Sequence, residues 1–306
     1  MKNEKQTVGL IGLGNAGMAL AQSLVGTFEV VGYDRDQARS EVAEASGVYF
    51  ASSAKQVSER CQIIILSLPT PVASLAAAAE LALGSLVGRL VIESSTVGPH
   101  DIDQLQEAVS QHGGTVMDAA IVGGVHKLAA GKTTFLVGAS QADFERARPI
   151  LECAAEEIFH LGIAGTGMRA KLVNNAVAHT TMVMLLEGAA LAVKAGVPLE
   201  IFYKLMRRES GLTRPLTHRL GERIREQNFE GGMPTANARK DSTLALELAA
   251  ELGVPMFTMQ ASHTVYEIAC AQQLERLDYS SISKLFEEWS HVSMRFDTAS
   301  EDKHGV

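Results

Sequence analysis

A chain of 306 residues, 46% hydrophobic and 20% charged, has the composition of a globular protein and the length for two domains that each bury a core. Its formal net charge of −8 argues against the broad basic face that nucleic acid requires, so no nucleic-acid partner is expected. Cys61, Cys153 and Cys270 are scattered without metal-ligand spacing, which points to reduced thiols and a metal-free chemistry. The first residues read as running directly into a strand, and the apolar runs read as interrupted short of a membrane span. The expectation is a cytoplasmic protein with no membrane partner.

Val8 to Leu13 are apolar and lead into a glycine turn, Gly12-Leu13-Gly14-Asn15-Ala16-Gly17. A helical run from Ala16 to Val25 follows, then a second strand, Val30-Val31-Gly32-Tyr33-Asp34. This is the layout of a dinucleotide-binding βαβ unit. Gly12 permits the tight turn, Gly14 lets a pyrophosphate approach the backbone, and Gly17 lets the helix pack closely on the strand. The free amides at the helix start then face the phosphates. Asp34, at the end of the second strand, is placed to accept hydrogen bonds from a ribose diol and to repel a 2′-phosphate. NAD is favoured over NADP on that ground. Arg35 keeps NADP open, because a guanidinium stacks on adenine or meets a 2′-phosphate.

Further apolar strands are predicted at Gln62–Leu68, Arg89–Glu93, Val116–Ala120 and Thr133–Val137, with helices at Val72–Leu83 and Asp101–His112. The alternation argues for a mostly parallel, doubly wound sheet. Ligands of such sheets lie outside the carboxyl ends of the strands. That rule singles out Leu68-Pro69-Thr70, Glu93-Ser94-Ser95-Thr96 and Asp118–Gly124.

After about residue 162 the pattern becomes helical. Gly165-Thr166-Gly167 opens a long run, Met168 to Lys194, whose apolar density all round predicts a central, largely buried helix. Helices are then expected at Leu199–Arg208, Arg214–Glu226, Asn237–Leu252, Met259–Gln273 and Ile282–Trp289. The fold class is α/β: an N-terminal Rossmann-type doubly wound sheet, residues 1–164, joined by the long central helix to an all-helical C-terminal domain. That domain, residues 165–306, is expected to serve substrate binding and oligomerisation. Its greasy surface favours self-association.

Within Gly165-x-Gly167-x-x-x-Lys171-Leu172-Val173-Asn174-Asn175, Lys171 and Asn175 are four apart and share a helix face. Burial and a neighbouring nicotinamide cation would lower a lysine pKa from about 10.4 towards neutrality, as an acid/base requires. A snorkelling surface lysine is the commoner alternative.

Four separated stretches, in order along nearly the whole chain, make the sequence resemble the β-hydroxyacid dehydrogenase family, which includes 3-hydroxyisobutyrate dehydrogenase and tartronate semialdehyde reductase. They are the glycine turn, Asp118-Ala119-Ala120-Ile121-Val122-Gly123-Gly124, the Lys171/Asn175 motif, and Lys240-Asp241. The resemblance implies an NAD(P)-dependent enzyme acting on a small hydroxy acid, as a homodimer or homotetramer. It implies Lys171 as catalytic general acid/base, Asn175 orienting substrate, and the backbone of Gly123 and Gly124 receiving the substrate carboxylate. Lys240 would close over the cofactor, and Leu68, Pro69 and Thr96 stand at positions that touch it. The family usually shows Asp-Ala-Pro-Val-Ser-Gly-Gly, so Ala120 replaces the proline and Val122 the substrate-binding serine. Either Val122 only packs or the substrate is altered, bulkier or less polar at that end; the second reading is favoured. Ala16 stands where the family often has methionine, a change of packing.

Other candidates are His126, after the glycine pair, and His179, two turns beyond Lys171, each with an ordinary surface or helix role as the alternative. Arg207, Arg208 and Arg214 would hold a second acidic group on the substrate or simply be solvated, with Glu209 as a surface partner. Phe286 and Trp289 are expected to pack. Two competing classes stay open: an imine-reducing relative of the same fold, and a non-catalytic NAD(P)-binding module.

Overall fold

The computed structural model describes residues 5–208 and 211–296. The chain divides into two compact units, Met1–Ala176 and Val177–Val306. Among the described residues of the first, eight strands form one sheet: β1 (Thr7–Ile11), β2 (Glu29–Tyr33), β3 (Tyr49–Phe50), β4 (Ile63–Leu66), β5 (Leu90–Glu93), β6 (Thr115–Val122), β7 (Thr133–Gly138) and β8 (Ala155–His160). Their spatial order is β3-β2-β1-β4-β5-β6-β7-β8. Every neighbouring pair is parallel except β6 and β7. The chain order reverses about β1, which lies between β2 and β4 and so makes a switch point of the kind at which ligands gather.

Strand periodicity divides the core. Ile63 and Ile65 of β4 join one buried cluster, with Leu20 and Leu24 of α1 (Asn15–Leu24). Ile64 and Leu66 join the other. Short helices follow β2 and β3: α2 (Ser40–Ala45) and α3 (Ala54–Arg60). Val57 of α3, Leu81 of α4 (Pro71–Leu81) and Leu105 of α5 (Pro99–Ser110) belong to the second cluster. The first also takes Leu128 of α6 (Val125–Ala129) and Ile150 of α7 (Gln141–Ala154). A strand covered on both faces needs no polar alternation, which is why β4 reads as Ile-Ile-Ile-Leu. Each such side chain contributes about 1.5–3 kcal/mol by leaving water. The β3 and β8 strands go unpredicted: β3 has only two residues, and β8, at the sheet edge, carries Glu156 and Glu157 into solvent.

The second unit is helical among its described residues, apart from an isolated bridge between Pro234 and Asp278. It holds most of α8 (Thr166–Lys194), then α9 (Leu199–Met206), a π-helical stretch Pro215–Ile224, α10 (Thr235–Leu252), α11 (Phe257–Ala271) and α12 (Ser283–Ser290). The reading of α8 as a largely buried helix is overturned: Val173 is 66% and Val177 63% exposed, and Met182, Val183 and Leu186 are open as well. The expectation that every apolar run stops short of a membrane span is corrected too. This 29-residue helix is long and apolar enough, by length and composition, to cross one. No charged residue interrupts Leu172 to Leu186. Apolar density identifies a surface that needs cover and is silent on what supplies it.

Glu187 of α8, 7% exposed, caps another helix. Its carboxylate accepts the Thr258 amide at 2.9 Å, the Thr258 hydroxyl, and the Met259 amide at 3.4 Å. These are donors that the first turn of α11 leaves without intrahelical partners. Burial pushes the Glu187 carboxyl up, but these hydroxyl and amide donors outweigh it and hold it below the ordinary glutamate value. A folded-state pKa below the unfolded one stabilises fully above the unfolded value, and that stabilisation is lost as pH falls through the folded one. Glu187→Ala is therefore expected to cost about 0.5–2 kcal/mol at neutral pH, the worth of a helix cap. Denaturation midpoints of wild type and variant should converge as the pH is lowered through the acidic range.

Candidate active site

The glycine turn shows three different needs for glycine. Gly12 has φ of +92°, and a Cβ there would lie 2.2 Å from the Ser67 carbonyl oxygen. A Cβ on Gly17 would lie 2.0 Å from the Gly12 carbonyl oxygen, so helix and turn are in direct backbone contact. Gly14, the residue before α1, has nothing within 4 Å of its Cβ position. The backbone is thus open where a phosphate must approach, at the amide end of a helix with no acidic residue in its first turn. Leu13 is buried, Ala16 half-buried and Asn15 exposed. These features fit a dinucleotide.

Asp34 closes the turn from the side. Its Oδ2 accepts the Leu13 amide at 2.7 Å and its Oδ1 the Asp36 amide at 2.9 Å. A carboxylate oxygen has a second lone pair, so both remain able to accept a ribose hydroxyl. Arg35 is exposed and donates to Glu80 at 2.6 Å. At the end of β4, the Leu68 amide donates to the Ser95 hydroxyl at 2.8 Å, and the Ser95 amide donates to Glu93 at 2.8 Å. Glu93 is fully buried, and that burial pushes its carboxyl up. Pro69 and Thr96 are exposed beside this tie. The parallel pairing of β1, β2, β4, β5 and β6 brings Gly12–Gly17, Asp34, Arg35, Leu68, Pro69, Thr96 and Val122–Gly124 to one edge of the sheet.

The start of α8 is built on a buried carboxylate. Asp118 of β6 accepts the Gly165 amide at 2.5 Å and the Met168 amide at 2.6 Å. Burial pushes the Asp118 carboxyl up, and these amides pull it back only in part. Gly165 has φ of +91°, and a Cβ on Gly167 would lie 2.3 Å from the Leu136 carbonyl oxygen and 2.7 Å from Asp118 Oδ2. The two glycines therefore let the chain turn and seat against the sheet. One turn past Met168, Lys171 is half-buried, as is Asn175, while Leu172, Val173 and Asn174 between them are exposed. Burial lowers the Lys171 pKa from its ordinary value.

Four residues beyond Asp118 on the same strand, Val122 is half-buried and its carbonyl accepts the Thr133 hydroxyl at 2.9 Å. Gly123, with φ of +138°, and Gly124 are exposed. His126 and His179 are exposed as well. Lys240 belongs to the helical unit, where it is exposed and pairs with Asp241 at 3.1 Å. In that unit Arg214 lines a cavity of about 1180 Å³ with Arg219, Tyr266 and Tyr279. Arg207 lies over the Tyr203 ring, Arg208 is exposed, and Glu209 lies outside the described residues. Phe286 and Trp289 pack edge to face at 5.4 Å. Among the described residues no cluster of three or more His, Cys, Asp or Glu is arranged to hold a metal.

The strand-end rule singles out the stretch that holds Ser95, but nothing in the sequence singles out Glu80 or Glu187, since a glutamate on a helix carries no distinctive spacing. The glycines do separate by experiment. Gly14→Ala should fold with an unchanged melting temperature and weaken dinucleotide binding by about tenfold or more. Gly17→Ala should instead destabilise the fold by about 1–3 kcal/mol through overpacking. Thermal melts and fluorescence titration with NADH check both.

Residues 7–162, just over half of the chain, match the family described as the NAD binding domain of 6-phosphogluconate dehydrogenase. Residues 165–286 match the NAD-binding domain of NADP-dependent 3-hydroxyisobutyrate dehydrogenase. The mitochondrial 3-hydroxyisobutyrate dehydrogenase of Bos taurus is 30% identical over 296 residues, 93% of this chain and 88% of that protein. The solved structure of Mycobacterium tuberculosis 3-hydroxyisobutyrate dehydrogenase is 28% identical, with a TM-score of 0.64 over 92% of this chain and 99% of that one. An imine reductase from Pseudomonas sp. superposes with a TM-score of 0.83 over the same shares, but at 22% identity that likeness shows the fold alone. With a Rossmann-type sheet, a dinucleotide cradle and both halves matched in order, the chain belongs to the β-hydroxyacid dehydrogenase family.

Proposed function

We propose that this chain is a dehydrogenase using a nicotinamide dinucleotide to interconvert a short β-hydroxy acid and its semialdehyde or keto acid. The observation that carries this is Lys171: a half-buried amine whose pKa burial lowers, one helical turn from Asn175, on a helix start fastened to the sheet. When bound, the nicotinamide accepts or supplies the hydride. In oxidation, neutral Lys171 Nζ takes the proton of the substrate hydroxyl. In reduction, its ammonium returns a proton to the forming alkoxide. Asn175 orients the substrate, and the amides of Gly123 and Gly124 receive its carboxylate. Val122, where relatives carry serine, presents an apolar surface beside that carboxylate and shifts the preferred substrate.

In this reading Gly12, Leu13, Gly14, Asn15, Ala16 and Gly17 hold the pyrophosphate, Leu68, Pro69 and Thr96 flank the cofactor, and Lys240 closes over it. The Asp34 carboxylate favours NAD over NADP. Residues 1–164 serve the cofactor, and residues 165–306 serve substrate binding and assembly. The exposed apolar side chains of α8, with Leu199 and Ile201 of α9, Leu244 of α10 and Phe257 of α11, support a homodimer or homotetramer in which a second copy covers them. Three free cysteines suit a cytoplasmic setting. Lys171 with Asn175 favours hydroxy-acid chemistry over imine reduction or a non-catalytic module. A screen of hydroxy acids and cyclic imines with both dinucleotides separates the three.

Lys171→Ala is expected to lower kcat about 10²–10⁴-fold while leaving NADH binding near that of wild type; unimpaired turnover removes Lys171 from the mechanism. Since oxidation needs the neutral amine, its kcat/KM should rise with pH through a pKa below the ordinary lysine range. Reduction should fall through the same pKa. Val122→Ser should raise activity on 3-hydroxyisobutyrate relative to bulkier hydroxy acids, and an unchanged substrate ranking would make Val122 a packing residue only.

A further inference from the structure

Arg35 stands one residue beyond Asp34 at the mouth of the cofactor cradle. A guanidinium at that place meets a 2′-phosphate through paired, charge-assisted hydrogen bonds. Here the guanidinium is already engaged. Its Nη2 donates to Oε1 of Glu80 at 2.6 Å, linking the end of β2 to α4 across 45 residues. Glu80 is the single charged residue on α4, whose other ten positions are proline, serine and apolar residues. Its helix has no neighbouring cation in sequence to balance, so its charge is directed outward to Arg35. The pair is open to water, with Arg35 62% and Glu80 37% exposed, so neither member is needed to fill the core. Asp34 and Asp36 flank Arg35 in sequence. The Asp34 carboxylate accepts the Leu13 and Asp36 amides and Asp36 pairs with Arg39 at 3.5 Å, so Glu80 is the carboxylate that engages Arg35.

We infer that Glu80 is a selectivity residue for the dinucleotide: by occupying Arg35 it withholds the receptor that a 2′-phosphate requires, and so turns the chain towards NAD and away from NADP. This rests on the dehydrogenase reading above. Asp34 repels the phosphate directly, and Arg35 is the neighbouring group able to offset that repulsion. Glu80 touches neither the ribose turn nor the reacting atoms; it acts through Arg35. Removing its charge frees the guanidinium and deletes one repelling anion. The two effects are separable, because only the first needs Arg35.

The test is titration of wild type, Glu80→Gln and Glu80→Gln/Arg35→Ala with NADH and with NADPH, followed by nicotinamide fluorescence. Glu80→Gln should tighten NADPH binding about three- to fivefold, the scale that an exposed ion pair commands, and leave NADH binding near that of wild type. The gain should be smaller in the double variant, where only the lost repulsion remains, and should shrink at high salt, where exposed charges are screened. An unchanged NADPH-to-NADH ratio in Glu80→Gln, in a protein whose wild type binds NADH, overturns the clamp and leaves the dehydrogenase reading standing. A gain that survives Arg35→Ala undiminished also overturns it. A wild type that binds neither dinucleotide overturns the dehydrogenase reading, and the clamp with it.

Discussion

A carboxylate shut away from water must be met by donors, and Asp118 is met by the backbone amides that open α8. The exchange is mutual. The first amides of a helix have no partner within it, and left buried they would each cost about 1–3 kcal/mol. Asp118 satisfies two at once, at the junction where the sheet gives way to the long helix. The fit is tight enough that Gly138 and Gly167 have no room for a side chain, since a Cβ on either would lie within 3 Å of the carboxylate oxygens. Lys171 inherits its position from this anchor. Its partial burial, which lowers its pKa, follows from where the helix is made to begin.

The opposite end of the cofactor cradle obeys a different physics. The glycine turn is held by steric need and by Asp34, while Arg35 and Glu80 meet at the surface, where water weakens their attraction. Rigid backbone geometry at Gly12 and Gly17 provides the shape, and adjustable surface charge provides discrimination between similar ligands. Changes at one need not disturb the other.

The parts of the molecule legible from sequence are those whose cause is local. Gly12 announces the turn by its positive φ and Gly17 by its contact with the Gly12 carbonyl, while Gly14 leaves the phosphate approach open. The buried strands β4 and β5 announce themselves by apolar runs, and the helices of the second unit by their periodicity. What escaped depends on distant partners. The spacing of Glu187 does not reveal that it caps α11, 70 residues on, and nothing about Glu80 reveals Arg35. The apolar run of α8 reads as burial, yet within the chain it stays open, because a sequence states the hydrophobicity of a face and leaves the identity of its neighbour unstated. The family resemblance locates Lys171 and Asn175, and the paired glycines before them read as a tight turn beside the sheet, whereas the Asp118 carboxylate that they seat against is visible only in the structure.

β6 is the strand at which the sheet changes direction, with Glu93 opposite Asp118 on its parallel side and Gly138 opposite Asp118 on its antiparallel side. Two ladders of opposite sense bracket it. A slip of one residue along either would turn Asp118 to the other face of the sheet and move Val122, Gly123 and Gly124 with it. Helix anchor and strand tip are thus indexed by one common registry, and a parallel ladder locked against an antiparallel one leaves that registry no direction in which to creep.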